Sequence, residues 1–110
     1  TAATQEESLG LKLAPLAKRY SVKKSTGIIR EIFPAKLQAK AIAIARRESN
    51  LNAAAYSSCC VGLFQIHWRA HKSWLAKMGI TSPQQLLDAR VNARAAYAMY
   101  QRSSNWGAWK

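Results

Sequence analysis

Acidic residues are scarce in this chain. Five Asp and Glu stand against 17 Lys and Arg over 110 residues, a formal net charge of +12, so the position of each acid carries information. Long apolar runs are absent too: none approaches the roughly 20 residues of a membrane-spanning helix, and no membrane span is expected. There is no initiator Met and no signal-peptide pattern, so a mature form, or a domain cut from something larger, is expected. Cysteine is limited to Cys59 and Cys60. Adjacent residues do not easily reach disulfide geometry, and the pair reads as two small apolar thiols in or near a packed turn. No metal site is expected, because His67 and His71 have no Asp, Glu or Cys placed to complete one; they read as a packed or surface pair. No cofactor is expected either. Strand-like alternation, internal repeats and low-complexity tracts are missing, which leaves a mainly α fold class.

What is present is a hydrophobic fraction of 49%, enough for a core and against global disorder, in a length that suits one compact domain. The cationic excess steers such a domain towards polyanions: nucleic acid, an anionic membrane or an anionic cell wall. Cations serving solubility alone are the plain alternative.

Residues 1–27 read as a basic N-terminal arm or linker. Glu6 and Glu7 open a weak helical pattern that Pro15 interrupts, and Lys18, Arg19, Lys23 and Lys24 form a basic cluster before Gly27. Residues 28–110 read as the folded domain. Ile28 to Phe33 is expected to pack on the core, and Pro34 suits the first turn of a helix. An alanine-rich helix is expected over residues 35–49. After a polar loop, Val61-Gly62-Leu63-Phe64-Gln65-Ile66 fits a strand or an extended bend. The pattern then predicts a helix over 68–78 stopped at Gly79, a short one over 84–87 opened by Ser82 and Pro83, and a last one over 89–103 capped by Asp88. The aromatic end, Asn105-Trp106-Gly107-Ala108-Trp109, needs something to pack on.

One acid stands out. Leu37, Ala41, Ile44 and Glu48 share one helix face, with Lys36, Lys40, Ala43 and Arg47 opposite. Glu48 is thus the charged end of an apolar stripe. Partial desolvation there disfavours the charged form of a carboxylate, which is how an acid is kept ready to give up a proton near neutral pH.

Four pieces of the sequence carry a resemblance. Glu48-Ser49 at a helix end, Gly62-Leu63-Phe64-Gln65-Ile66, Ala96-Tyr97-Ala98-Met99-Tyr100, and Asn92 with Trp106-Gly107-Ala108-Trp109 together resemble the lysozyme-like superfamily of soluble lytic transglycosylases and phage muralytic domains. Glu-Ser alone is a weak motif; order and spacing give the set its strength. Cys59-Cys60 departs from the small polar run usual before the Gly, and the Asn-Ala-Gly continuation after the Tyr segment is missing.

The resemblance implies a lysozyme-like single domain with little or no β, monomeric when isolated. It implies action outside the cytoplasm on peptidoglycan glycan strands, as a secreted wall enzyme or a module of a phage virion protein. The reaction implied is cleavage of the β-1,4 bond between N-acetylmuramic acid and N-acetylglucosamine, with a 1,6-anhydromuramyl end as product. Glu48 would be the catalytic residue, and Ser49, Tyr56, Phe64, Gln65, Tyr97 and Tyr100 would bind substrate. Most of these have a plainer reading beside them. Ser49 suits helix termination, Gln65 a backbone bond, and the tyrosines and tryptophans an ordinary core. Tyr100 has the phase to face inward and bond Glu48, whereas Tyr97 shares the exposed side with Arg90 and Arg94. A second carboxylate, Glu31 or Asp88, would make a two-carboxylate glycosidase, but surface and capping roles suit these better. The rival functions are a hydrolase of the same bond and a non-catalytic cationic domain binding wall or nucleic acid. The last leaves Glu48 and residues 62–66 unexplained, so nucleic acid is not the expected partner.

Overall fold

The structure, a computed structural model, describes residues 22–109. Most of the expected basic arm, residues 1–21, lies outside the described residues. Four helices carry the fold: α1 (Val22–Ile32), α2 (Ala35–Ser49), α3 (Trp68–Leu75) and α4 (Ala89–Ser103). Between α2 and α3, β1 (Cys60–Val61) and β2 (Ile66–His67) pair as a small antiparallel hairpin, with Cys60 opposite His67 and Val61 opposite Ile66. Short 3₁₀ turns sit at Ala76–Met78, Pro83–Leu87 and Gly107–Trp109. The mainly α class read from the sequence is the class that forms.

Helix α1 runs through Gly27, so the expected division at residues 27 and 28 falls inside one helix. Ile28 to Ile32 belongs to this helix, which buries Ser25, Ile28 and Ile29 and packs on α4 and α2. Pro34 ends it by disfavouring helical geometry at Phe33. Gln38 then reaches back from α2 and donates through Nε2 to the carbonyls of Phe33 (3.0 Å) and Arg30 (3.2 Å). These bonds satisfy acceptors that a helix end leaves open.

The other helix limits follow local chemistry. Gly79 closes the Ala76–Met78 turn in the left-handed conformation at φ 83°. Pro83 opens the next turn, where Gln85 Oε1 accepts from the Ser82 N–H at 3.0 Å. Asp88 caps α4, its Oδ1 accepting from the N–H groups of Arg90 and Val91 at 2.9 and 3.1 Å. The core is built from α1, α2, α4 and the hairpin, with Ile29, Leu51, Val61, Leu63, Phe64 and Leu86 at its centre. Phe33 lies among its aromatic members, 5.6 Å from Phe64, 5.2 Å from Tyr97 and 6.1 Å from Trp106 between ring centroids.

The cysteines correct the sequence reading: Cys59 and Cys60 are bonded to each other rather than present as two thiols. Their Cα atoms are 3.7 Å apart, below the roughly 4.4–6.8 Å usual for a disulfide, which is why adjacency argued against it. The local turn makes the difference. Ser57 N–H donates to the Cys60 carbonyl at 2.8 Å and Ser57 Oγ accepts from the Cys60 N–H at 3.2 Å. The chain is thus already folded back on itself where β1 begins.

Gly62 is the position where the hairpin tolerates no side chain. Its φ is +80°, and a Cβ there would lie 2.2 Å from the Leu86 carbonyl oxygen and 2.3 Å from Asn92 Nδ2. The backbone conformation and the close approach both demand glycine. Gly62→Ala is expected to destabilise the fold by about 3 kcal/mol or more, measured as a lowered midpoint in urea unfolding.

Candidate active site

Glu48 sits in the last turn of α2, and the chain reverses immediately after it. Asn50 and Leu51 are both left-handed, each with φ 58°. The Asn50 N–H returns to the Arg46 carbonyl at 2.9 Å and the Leu51 N–H to the Ala45 carbonyl at 3.3 Å. A left-handed Leu is uncommon and costs roughly 1–3 kcal/mol; burial of Leu51, 1% exposed, offsets it. The helix therefore stops firmly, and Glu48 is held at a fixed end rather than on a frayed turn.

The loop between β1 and β2 is fastened to that helix end and to α4. Ser49 Oγ, buried, lies 2.6 Å from the Leu63 carbonyl and 3.0 Å from the Ala45 carbonyl. The wholly buried Asn92 of α4 spans three backbone groups. Its Nδ2 donates to Val61 O (2.8 Å) and Leu86 O (2.9 Å), and its Oδ1 accepts from Phe64 N (2.8 Å). Trp109 Nε1 donates to Phe64 O at 2.8 Å. Gln65, itself left-handed at φ 48°, donates through Nε2 to Gly62 O (2.8 Å) and Ala55 O (3.1 Å). Three of the left-handed non-glycine residues, Asn50, Leu51 and Gln65, thus lie around Glu48 and this loop, as strained backbone does at sites that need fixed geometry.

The residues expected to bind substrate separate into two groups. Ser49, Phe64 and Gln65 build the site from beneath. Phe64 is wholly buried between Phe33 and Trp109, so its ring is out of reach of a ligand. Ser49 and Gln65 spend their side-chain donors on backbone carbonyls. Tyr56, Tyr97 and Tyr100 remain half-buried. Tyr56 bridges to Val61 at the hairpin. Tyr97 packs on Phe33 and is not on an open face, and Tyr100 lies 4.5 Å from Trp106 between ring centroids. Trp109, 5% exposed, closes the core. His67 accepts from the Ala70 N–H as the cap of α3, and His71 accepts from Trp74 Nε1 at 3.0 Å.

Glu48 has a neighbour that helical phase placed on the opposite face. Arg47 folds over the helix end, its Nε donating to Glu48 Oε2 at 3.1 Å and its guanidinium also to the Trp109 carbonyl. The Glu48 side chain is 29% exposed and that of Arg47 54%. Among the described residues the other acids are engaged elsewhere. Glu31 pairs with Arg90 at 3.1 Å on the α1–α4 surface, and Asp88 caps α4. Two depressions flank the tail. One, of about 330 Å³, is lined by Lys40, Ile44, Arg47, Trp106 and Trp109. The other, of about 420 Å³, is lined by His71, Trp74, Met99, Arg102 and Ser103; Asn105 and Gly107 border both.

Two outcomes test this construction. Asn92→Ala leaves Val61 O, Leu86 O and Phe64 N without their buried partner and is expected to cost about 2–4 kcal/mol in denaturant unfolding. His71 is held below its ordinary 6.5, first by burial and then by the neighbouring His67 and Arg102. The unfolded chain therefore takes up this proton first as pH falls. Stability from this group is complete above 6.5 and declines as pH drops through that value. Unfolding midpoints followed against pH are expected to show this slope, and His71→Gln to remove it.

A family model for a lysozyme-like domain matches residues 33–110. No curated protein and no solved structure matches the chain. The matched stretch takes in α2 with Glu48, the hairpin and its loop, α3, α4 and the aromatic tail, the parts bound together above. The chain belongs to the lysozyme-like domain family.

Proposed function

We propose that this protein is a peptidoglycan lytic transglycosylase acting outside the cytoplasm, cleaving the bond between N-acetylmuramic acid and N-acetylglucosamine and leaving a 1,6-anhydromuramyl end. The observation that carries the reading is the position of Glu48 without a second carboxylate: among the described residues Glu31 and Asp88 are committed elsewhere. Two-carboxylate glycosidases place the second group within about 5–9.5 Å of the first. With one acid, the steps fall to Glu48 in turn. It protonates the glycosidic oxygen, the sugar's own N-acetyl group stabilises the anomeric carbon, and the Glu48 carboxylate then accepts the proton of the C6 hydroxyl as that oxygen closes the ring. Proton count is conserved and Glu48 ends as it began.

Arg47 enters this scheme as a displaceable neighbour. Its pair with Glu48 is partly exposed, and exposed pairs are worth about 0–1 kcal/mol. A glycan entering beside α2 separates the two at little cost, releasing the carboxyl and leaving a cation near the leaving oxygen. The cationic surface supports the same substrate class, since wall polymers are anionic.

Digestion of purified peptidoglycan followed by mass spectrometry of the muropeptides is expected to yield anhydro ends. Reducing ends would make the protein a hydrolase of the same bond, and no products from folded protein would overturn both. Glu48→Gln is expected to lower turnover by about 10²–10⁴-fold with an unchanged far-ultraviolet circular dichroism spectrum.

A further inference from the structure

The larger depression beside the tail is a pocket whose cation pairs with no acid among the described residues. Arg102, near the end of α4, lies with its guanidinium carbon 4.5 Å from the centroid of the Trp74 ring. Trp74 is in turn oriented by its Nε1 bond to His71 Nδ1, and the two rings meet edge to face. His71 accepts that bond as the neutral imidazole, so the positive charge of the pocket is that of Arg102. Among the described residues no carboxylate pairs with Arg102; Glu48 pairs with Arg47 and Glu31 with Arg90.

The rim opposite is rigid. Asn105 Oδ1 accepts from the Gly107 N–H at 2.8 Å and its Nδ2 donates to Ser103 O at 3.0 Å. Ser103 Oγ is within 3.0 Å of Asn105 O and 3.2 Å of Met99 O. Ser103 Oγ and the Asn105 carboxamide bond within this turn, and the Arg102 fork is the charged donor of the pocket. A guanidinium laid on an indole keeps its outer edge free for two parallel bonds to a planar oxyanion.

The pocket is also placed to meet the substrate of the neighbouring site. The Asn105–Gly107 turn borders both depressions, and the second contains Arg47, the partner of Glu48. The turn is thus the element shared by the pocket of Arg102 and the depression that holds Arg47.

We propose that the Trp74–Arg102 pocket binds a carboxylate of the peptide stem carried by the glycan strand. This rests on the peptidoglycan reading above, and its test is a binding measurement that needs no turnover. The probe is N-acetylmuramyl-L-alanyl-D-isoglutamine, a single-sugar fragment with one free carboxylate and no glycosidic bond to cleave, compared with its neutral carboxamide. Titration of the full chain, followed by nuclear magnetic resonance at the Trp74 indole N–H, is expected to show the acid binding about fivefold or more tighter than the amide. Arg102→Met is expected to remove that difference. Acid and amide binding equally, or a preference that survives Arg102→Met, would overturn the pocket. Should Arg102→Met fail to fold, the wild-type comparison and the Trp74 resonance decide alone. Failure of the catalytic reading appears separately, as absence of products from peptidoglycan.

Discussion

The carboxamide of Asn92 is the point on which the site depends. A hairpin loop of four residues, with a left-handed Gly at one end and a left-handed Gln at the other, has few ways to satisfy its own backbone. Asn92 supplies both donor and acceptor from the face of α4, inside the core where water cannot compete. One side chain thereby fixes the height of Val61 to Phe64 above α4. Gly62 is glycine for the same reason, since the carboxamide occupies the space a Cβ would need. The Gly of the motif and the Asn some thirty residues later are two halves of one contact.

With the loop fixed to α4, the end of α2 is fixed to the loop. Ser49 reaches Leu63 O, Trp109 reaches Phe64 O, and Arg47 returns from α2 to Trp109. The path closes on itself: α2, loop, tail and back to α2, leaving and re-entering that helix at Ser49 and Arg47, the residues on either side of Glu48. The general-acid role proposed for Glu48 needs fixed geometry more than it needs many contacts. Glu48 gains that geometry from its neighbours' bonds, while its own side chain keeps a single partly exposed partner. Ser49 and Gln65, each expected as a ligand contact with a plainer structural role beside it, bond backbone carbonyls beneath Glu48.

Helices were legible in the sequence wherever a terminus had a local chemical cause. The run from Ala35 to Ser49 and the run from Ala89 to Ser103 form as the pattern predicts, because Pro34, Asp88 and the alanine content act within one turn. The apolar stripe ending at Glu48 was legible for the same reason. Contacts joined by long sequence separation were not. Nothing in the spacing of Asn92 says that it spans Val61, Leu86 and Phe64, and helical phase alone placed Arg47 away from Glu48. A long flexible side chain overrides that phase once a carbonyl such as Trp109 O offers a second anchor. The Cys59–Cys60 bond was missed because its geometry depends on the Ser57 turn, and Gly27 suggested a boundary where tertiary packing sustains α1 through it.

The aromatic tail ties stability to function in a way that separates informative positions from ambiguous ones. Trp109 is core, loop clamp and acceptor for Arg47 together, so any loss of activity on changing it has several physical causes at once. Trp106 packs on Phe33, Tyr100 and Trp109 and carries the same ambiguity. The charged groups beside the tail do not. Arg102 is exposed on the rim, outside the buried network around Asn92, and the Glu48 carboxylate meets that network through Arg47. In a fold whose core and site share their aromatic residues, chemistry is assigned most cleanly through the few charges at the edge of that core.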